Sequence, residues 1–250
     1  MLQKKQKNLL LAAALLMLFA AAPVSNAMHI MEGYLPVSFC IIWSVICIPF
    51  LVIGFINIKK TLSNNRKTLT ILALTGAFVF VLSSLKIPSI TGSCSHMTGT
   101  GLGAILFGPC VTSILGIIVL LFQAILLAHG GLTTLGANCF SMAIAGPLVS
   151  FGIYFALKKA KVNRKVNVFL AAAIGDLFTY CVTAFQLALA HPSEAGGVGA
   201  SFAKFLAVFA PTQVPLAVIE GILTVVIIIA MESFAAKELK SVGFLEEAAK

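Results

Sequence analysis

Ile105-Leu106-Phe107-Gly108-Pro109-Cys110-Val111 lies in the middle of an apolar run from Thr98 to Ala128, and whether the chain crosses a membrane once or twice there decides its topology. Proline cannot continue a helical hydrogen-bond ladder and glycine permits a sharp turn, so Gly108-Pro109 reads as a break between two segments. Charge gives a second argument. Lys59, Lys60, Arg66 and Lys67 form one basic cluster, and Lys158, Lys159, Lys161, Arg164 and Lys165 form another. Both belong on the cytoplasmic face by the positive-inside rule. A single crossing from Thr98 to Ala128 would leave an odd number of crossings between the clusters and put them on opposite faces. The break restores an even number.

Working outward, the apolar segments run from Val37 to Ile58, Leu69 to Leu85, Thr98 to Gly108, Pro109 to Ala128, Leu135 to Leu157, Val166 to Ala190 and Phe202 to Met231. The third is too short to span hydrocarbon, so it is expected as a short or tilted helix shielded by protein, because unsatisfied backbone cannot face lipid. The expected fold is therefore an all-α polytopic membrane protein with seven membrane segments after signal-peptide removal. Composition agrees, with 60% hydrophobic and 10% charged residues. The formal charge of +9 sits largely in loops, where it reports orientation rather than nucleic-acid binding. Cys40, Cys47, Cys110, Cys139 and Cys181 lie within or beside apolar segments without zinc-site spacing, and no disulfide framework is expected.

The N-terminus has the three regions of a secretory leader: Lys4, Lys5 and Lys7, then apolar Leu9 to Ala22, then small residues at Ser25 and Ala27. Residues 1–27 read as a cleaved signal peptide and 28–250 as the integral membrane domain; the alternative is a retained first membrane helix with His29 just outside it. Cleavage would leave Met28-His29 at the mature terminus. A free α-amine on Met28, the amide nitrogen of His29 and its imidazole then form consecutive chelate rings, a planar nitrogen claw for a divalent transition metal. Retention of the leader would block the amine.

The topology places the mature N-terminus and the loops carrying His96, His129 and His191 on or near the outer face, with the tail carrying Lys237 and Lys240 in the cytoplasm. His96 lies in Gly92-Ser93-Cys94-Ser95-His96-Met97-Thr98-Gly99-Thr100-Gly101-Leu102-Gly103, a glycine-rich approach to the short third segment. A histidine at a helix N-terminus is disfavoured as imidazolium, which keeps its lone pair for a metal. His96 could supply a fourth nitrogen and complete a plane suited to nickel(II), copper(II) or low-spin cobalt(II). A loop histidine of this kind also caps or packs without a ligand, and Cys94 is a softer, lower-ranked donor.

Met28 to Pro36, Gly92 to Gly103 and Leu121 to Asn138 resemble the CbiM/NikM family, the substrate-capture components of metal energy-coupling-factor transporters, and the similarity covers essentially the mature chain. Its Ile-Met-Glu-Gly after Met-His favours the cobalt branch. The resemblance implies that Met28, His29 and His96 bind the metal. It implies capture of cobalt(II), or alternatively nickel(II), at the outer face of a bacterial or archaeal plasma membrane and delivery inward, supplying cobalamin synthesis. The implied partners are a transmembrane coupling subunit, ATP-binding subunits and a small auxiliary membrane subunit; the chain has no phosphate loop of its own. Gln123, His129 and Asn138 either orient the metal ligands or glue helices together. Asp176 and Glu220 fall within predicted spans, where an acid serves substrate passage, partner coupling or a buried hydrogen bond. His191 reads as an exposed loop residue.

Two other classes fit poorly. A membrane metalloprotease requires a His-Glu-x-x-His pair, which the sequence lacks. A self-sufficient ion channel requires a filter or a ring of acids, and neither is visible. No catalysis is expected.

Overall fold

The computed structural model describes residues 29–64, 68–88 and 94–245. The leader expected over residues 1–27, its cleavage point and Met28 lie outside the described residues. Helices α1 (Val37–Asn64), α2 (Thr68–Ser84), α3 (Thr100–Phe107) and α4 (Pro109–Leu126) come first. A short α5 (Leu135–Asn138) passes through a π-helical stretch (Cys139–Ala145) into α6 (Gly146–Lys159), followed by α7 (Arg164–Ala190), α8 (Gly197–Phe234) and a terminal α9 (Ala236–Ser241). Two-residue strands β1 (Ile87–Pro88) and β2 (Cys94–Ser95) pair antiparallel, Ile87 opposite Ser95. This small ladder adds to the all-helical expectation. It closes the loop between α2 and α3 on itself.

Five stretches are long and apolar enough to cross a membrane: Val37–Ser63, Pro109–Leu126, Leu135–Lys159, Arg164–Ala190 and Gly197–Phe234. Helix α2 is apolar but has 17 residues, and α3 has only 8. The sidedness of α1 shows how the sequence sorts lipid from core. Ile41, Val45, Ile48, Val52 and Phe55 recur at helical spacing and are exposed, whereas Cys40, Trp43 and Cys47 face inward. An exposed apolar ridge of this length is what a bilayer covers.

The break at Gly108-Pro109 is present. Gly108 has φ 83° and ψ 165°, a region essentially reserved for glycine, and Pro109 occupies the start of α4 where its missing N–H costs nothing. Every residue of α3 from Thr100 to Leu106 is buried. Close approach makes this possible: a Cβ on Gly101 would lie 2.9 Å from the Ala172 Cα of α7. The short helix is thus wrapped by protein, as its length requires.

At the opposite end of the sequence, α7 and α8 pack along their length. Arg164 pairs with Glu232 at 2.8 Å, and the Tyr180 hydroxyl donates to the carbonyls of Phe205 and Leu206. Pro211 and Pro215 interrupt the ladder of α8 in the middle. Thr212 and Gln213 lie between them and reach across to the loop that carries His96.

Candidate metal centre

The N-terminal strap before α1 is held by backbone recognition. The Asn138 side chain accepts from the Ile30 N–H at 2.8 Å and donates to the Ile30 carbonyl at 3.0 Å, and the Thr134 hydroxyl donates to the same carbonyl at 2.6 Å. Both backbone polar groups of one buried residue are therefore satisfied by a single side-chain amide. The Ile30 side chain packs with Leu35, Trp43, Ala137 and Tyr180. Farther along, the Glu32 carboxylate accepts from the N–H of Thr133 at 3.1 Å and from its hydroxyl. Those bonds hold the Glu32 carboxyl below its usual range. The loop runs so close to the strap that a Cβ on Gly131 would lie 2.4 Å from the Glu32 carboxylate. His191 is exposed, as expected, and its Nε2 meets the Tyr34 carbonyl at 2.9 Å.

This strap delivers His29 to two other imidazoles. One ligand atom each of His29, His96 and His129 lies within 4.8 Å of the others, and all three rings are buried, at 3%, 0% and 1% exposure. Ring centroids are 4.4 Å apart for His29 and His96, 4.5 Å for His29 and His129, and 5.1 Å for His96 and His129. Of the residues picked from the sequence, His29 and His96 meet directly. His129, expected to orient the ligands or to glue helices, brings its own ring into the cluster. Asn138 holds the strap, and Gln123 sits one layer behind, its backbone carbonyl accepting from the backbone N–H of His129 at 3.1 Å and its side-chain amide donating to Ser83 at 2.7 Å. Nothing is described of the Cys94 side chain; its backbone lies in β2.

Hydrogen-bond roles settle two of the three tautomers. The Met97 carbonyl can only accept, so His96 Nδ1 at 2.8 Å carries the proton and its Nε2 keeps a lone pair. The Met142 thioether is likewise an acceptor, so His29 Nε2 at 3.2 Å carries the proton and Nδ1 keeps the lone pair. Those two lone-pair nitrogens have no hydrogen-bond partner, and neither ring nitrogen of His129 has one. Burial removes the water that would stabilise imidazolium. It lowers His29 well below the ordinary histidine value, His96 to about 4 against the opposing hydrogen bond to Met97, and His129 to about 2; neighbouring imidazoles add repulsion at His29 and His129, and Lys86 at all three. Three neutral, nitrogen-rich donors converge without mutual hydrogen bonds. That arrangement suits a cation.

The loop carrying His96 is anchored from α8 and α7. Glu220 accepts from the Thr98 N–H at 2.6 Å and from its hydroxyl at 3.0 Å. Gln213 donates both to the His96 carbonyl at 3.2 Å and to Asp176 at 2.6 Å. Asp176 and Glu220 are hydrogen-bonded to each other and fully buried. Of the roles open to the two acids, the buried hydrogen bond is visible. Met142, Thr98 and Gln213 were not singled out from the sequence. Gln213 had a signal, a lone amide between two prolines in an apolar helix; Met142 had none.

The chain matches a family model of the cobalt uptake substrate-specific transmembrane region over residues 29–238. It is 68% identical over 245 residues to the cobalt transport protein CbiM of Lachnoclostridium phytofermentans, covering 98% of each chain. To that of Chlorobium limicola it is 60% identical over 232 residues, covering 93% of this chain and 91% of the relative. Among solved structures, a truncated transition-metal transporter superposes with a TM-score of 0.72 at 25% identity, covering 82% of this chain and 99% of that one. With the helical fold and the histidine cluster, these similarities place the chain in the CbiM family of cobalt-uptake transmembrane proteins.

Proposed function

We propose that the mature chain captures cobalt(II) at the outer face of the plasma membrane and passes it inward as the substrate-specific component of an ATP-driven energy-coupling-factor transporter, supplying cobalamin synthesis. The donor set in this reading is the Met28 α-amine, the His29 amide nitrogen and Nδ1, and His96 Nε2. The observation that carries it is the tautomer pattern. His29 offers Nδ1, the ring nitrogen that closes a chelate with its own amide, and His96 offers Nε2, while each second nitrogen is occupied by an acceptor that fixes the ring. Cleavage after Ala27 supplies the amine, so processing of the leader activates the site.

In the same reading the chain has seven membrane segments, with α2 and the buried α3 joining the five longer stretches, the N-terminus outside and the C-terminus in the cytoplasm. A transmembrane coupling subunit, ATP-binding subunits and a small auxiliary membrane subunit complete the transporter. Nickel(II) is the second substrate to consider, because four planar nitrogens suit it equally. Proteoliposomes test the assignment. Cobalt should accumulate only when the coupling and ATP-binding subunits and ATP are present, and His96→Ala should abolish it; ATP-independent flux through the chain alone would contradict it.

A further inference from the structure

Where α4 and α7 begin and α6 ends, two cavities of about 360 Å³ and about 280 Å³ have Tyr154, Lys158 and Phe244 in common. The 18 residues of α4 separate this end of the bundle from His129 by roughly 27 Å, at 1.5 Å per helical residue. The walls divide by chemistry. Ile105, Phe107, Phe151 and Phe155 line the larger cavity, and Phe155 is 49% exposed on a stretch long and apolar enough to cross a membrane. Lys158, Arg164 and Asn167 line the smaller one. No acid lines either cavity among the described residues. Glu232 meets Arg164 at 2.8 Å from outside the lining and engages one nitrogen of a guanidinium that carries five N–H donors. Lys159, Lys161 and Lys165 lie close by in sequence and strengthen the positive field without lining either cavity.

Asn167 supplies the specific signal. Its side chain is 2% exposed, its Nδ2 donates to the Tyr154 carbonyl at 2.9 Å, and its Oδ1 is buried with no hydrogen-bond partner. Buried polar atoms in folded proteins are almost always satisfied. A wall that holds two cations and an unanswered acceptor suits a ligand that is anionic and also brings a hydrogen-bond donor.

We propose that this cleft binds the phosphoglycerol headgroup of an anionic phospholipid, with the phosphodiester against Lys158 and Arg164, a glycerol hydroxyl donating to Asn167 Oδ1, and an acyl chain along Phe151 and Phe155. Basic pockets between membrane helices, at the level of the headgroups, are suited to such lipids. Charge alone would accept any phosphate, but the apolar side of the cleft favours a ligand that carries a chain. Phosphatidylcholine has neither net charge nor a headgroup donor, and phosphatidylethanolamine has the donor without the net charge. Phosphatidylglycerol has both. The site stands on the fold alone and does not depend on the cargo metal.

Native mass spectrometry of the full mature chain, released from detergent with equimolar phosphatidylglycerol, phosphatidylethanolamine and phosphatidylcholine, tests the cleft. Phosphatidylglycerol should be retained at least about fivefold over phosphatidylethanolamine, and phosphatidylethanolamine over phosphatidylcholine. Lys158→Gln, at an exposed position, should remove most of the first preference and leave the second unchanged. Lys165→Gln makes the same charge change outside the lining and should alter the first preference by less than about twofold. Equal retention of phosphatidylglycerol and phosphatidylethanolamine would overturn the site. So would equal losses in the two variants, which would reduce the effect to the general positive field. Free glycerol phosphate should not displace the lipid at millimolar concentration; displacement would show a soluble ligand's site and overturn the lipid assignment.

Discussion

At the scale of single residues, Asn138 holds the strap that carries His29, and the three histidines are the candidate donors of the proposed metal site. Asn138 satisfies both backbone polar groups of Ile30, so Asn138→Ala leaves a buried N–H without its partner and the carbonyl with only Thr134. The expected cost is about 1–3 kcal/mol of stability. Because His29 is the preceding residue, metal affinity should also fall by roughly 10- to 100-fold. Thermal melting and titration calorimetry check the two effects separately, and unchanged affinity would show that the strap is placed by other contacts. The histidines make a prediction about acid. Each is lowered by burial, His96 to about 4, so between the unfolded value of about 6.5 and that point the unfolded chain takes up a proton that the folded chain refuses. Stability of the metal-free protein is complete above about pH 6.5 and should fall below it by up to about 1.4 kcal/mol per pH unit for His96 alone. His29 and His129 shift in the same direction. Melting temperatures should therefore drop from neutral pH toward pH 4.5, less steeply in His96→Gln, and a flat profile would contradict the burial of neutral rings.

At the scale of elements, the site depends on pieces that break regular structure. Gly108 sits in a backbone region that only glycine occupies without strain, and Gly108→Ala should destabilise the junction of α3 and α4 by about 1–3 kcal/mol, measured as a lowered melting temperature. The loop before α3 is tied to α8 through Glu220. Glu220→Ala removes the acceptor of the Thr98 N–H and hydroxyl, and should cost about 2–3 kcal/mol and weaken metal binding through the displaced His96. The Gly108-Pro109 break was legible because glycine and proline act on their own backbone. The π-helical stretch at Cys139–Ala145 was not. It is an insertion into the helical ladder produced by packing, and it places Met142 beside His29 across 113 residues of sequence. The same limit applies to Asn138: its chemistry was readable, but its pairing with Ile30 belongs to the tertiary fold.

At the scale of the whole molecule, most of the helical order followed from apolar segment length, basic loops and one parity argument. The histidine loop was readable where a glycine-rich stretch isolates His96, whereas the proposed Met28-His29 chelate begins outside the described residues. The site was unreadable where separate elements converge, which is why the ring of His129 was assigned only a supporting place. In the proposed site the N-terminus left by cleavage is the core of the chelate, and the strap that follows it is held at Ile30 and Glu32 by Asn138, Thr134 and Thr133. Inserting one alanine between the cleavage point and Met28 tests this most directly, because it leaves every described side chain in place while moving histidine from position two to position three. With N-terminal sequencing to verify processing, cobalt binding by the extended protein should be lost or reduced at least about tenfold relative to the native terminus. Undiminished binding would contradict the chelate and reduce His29 to an ordinary imidazole donor.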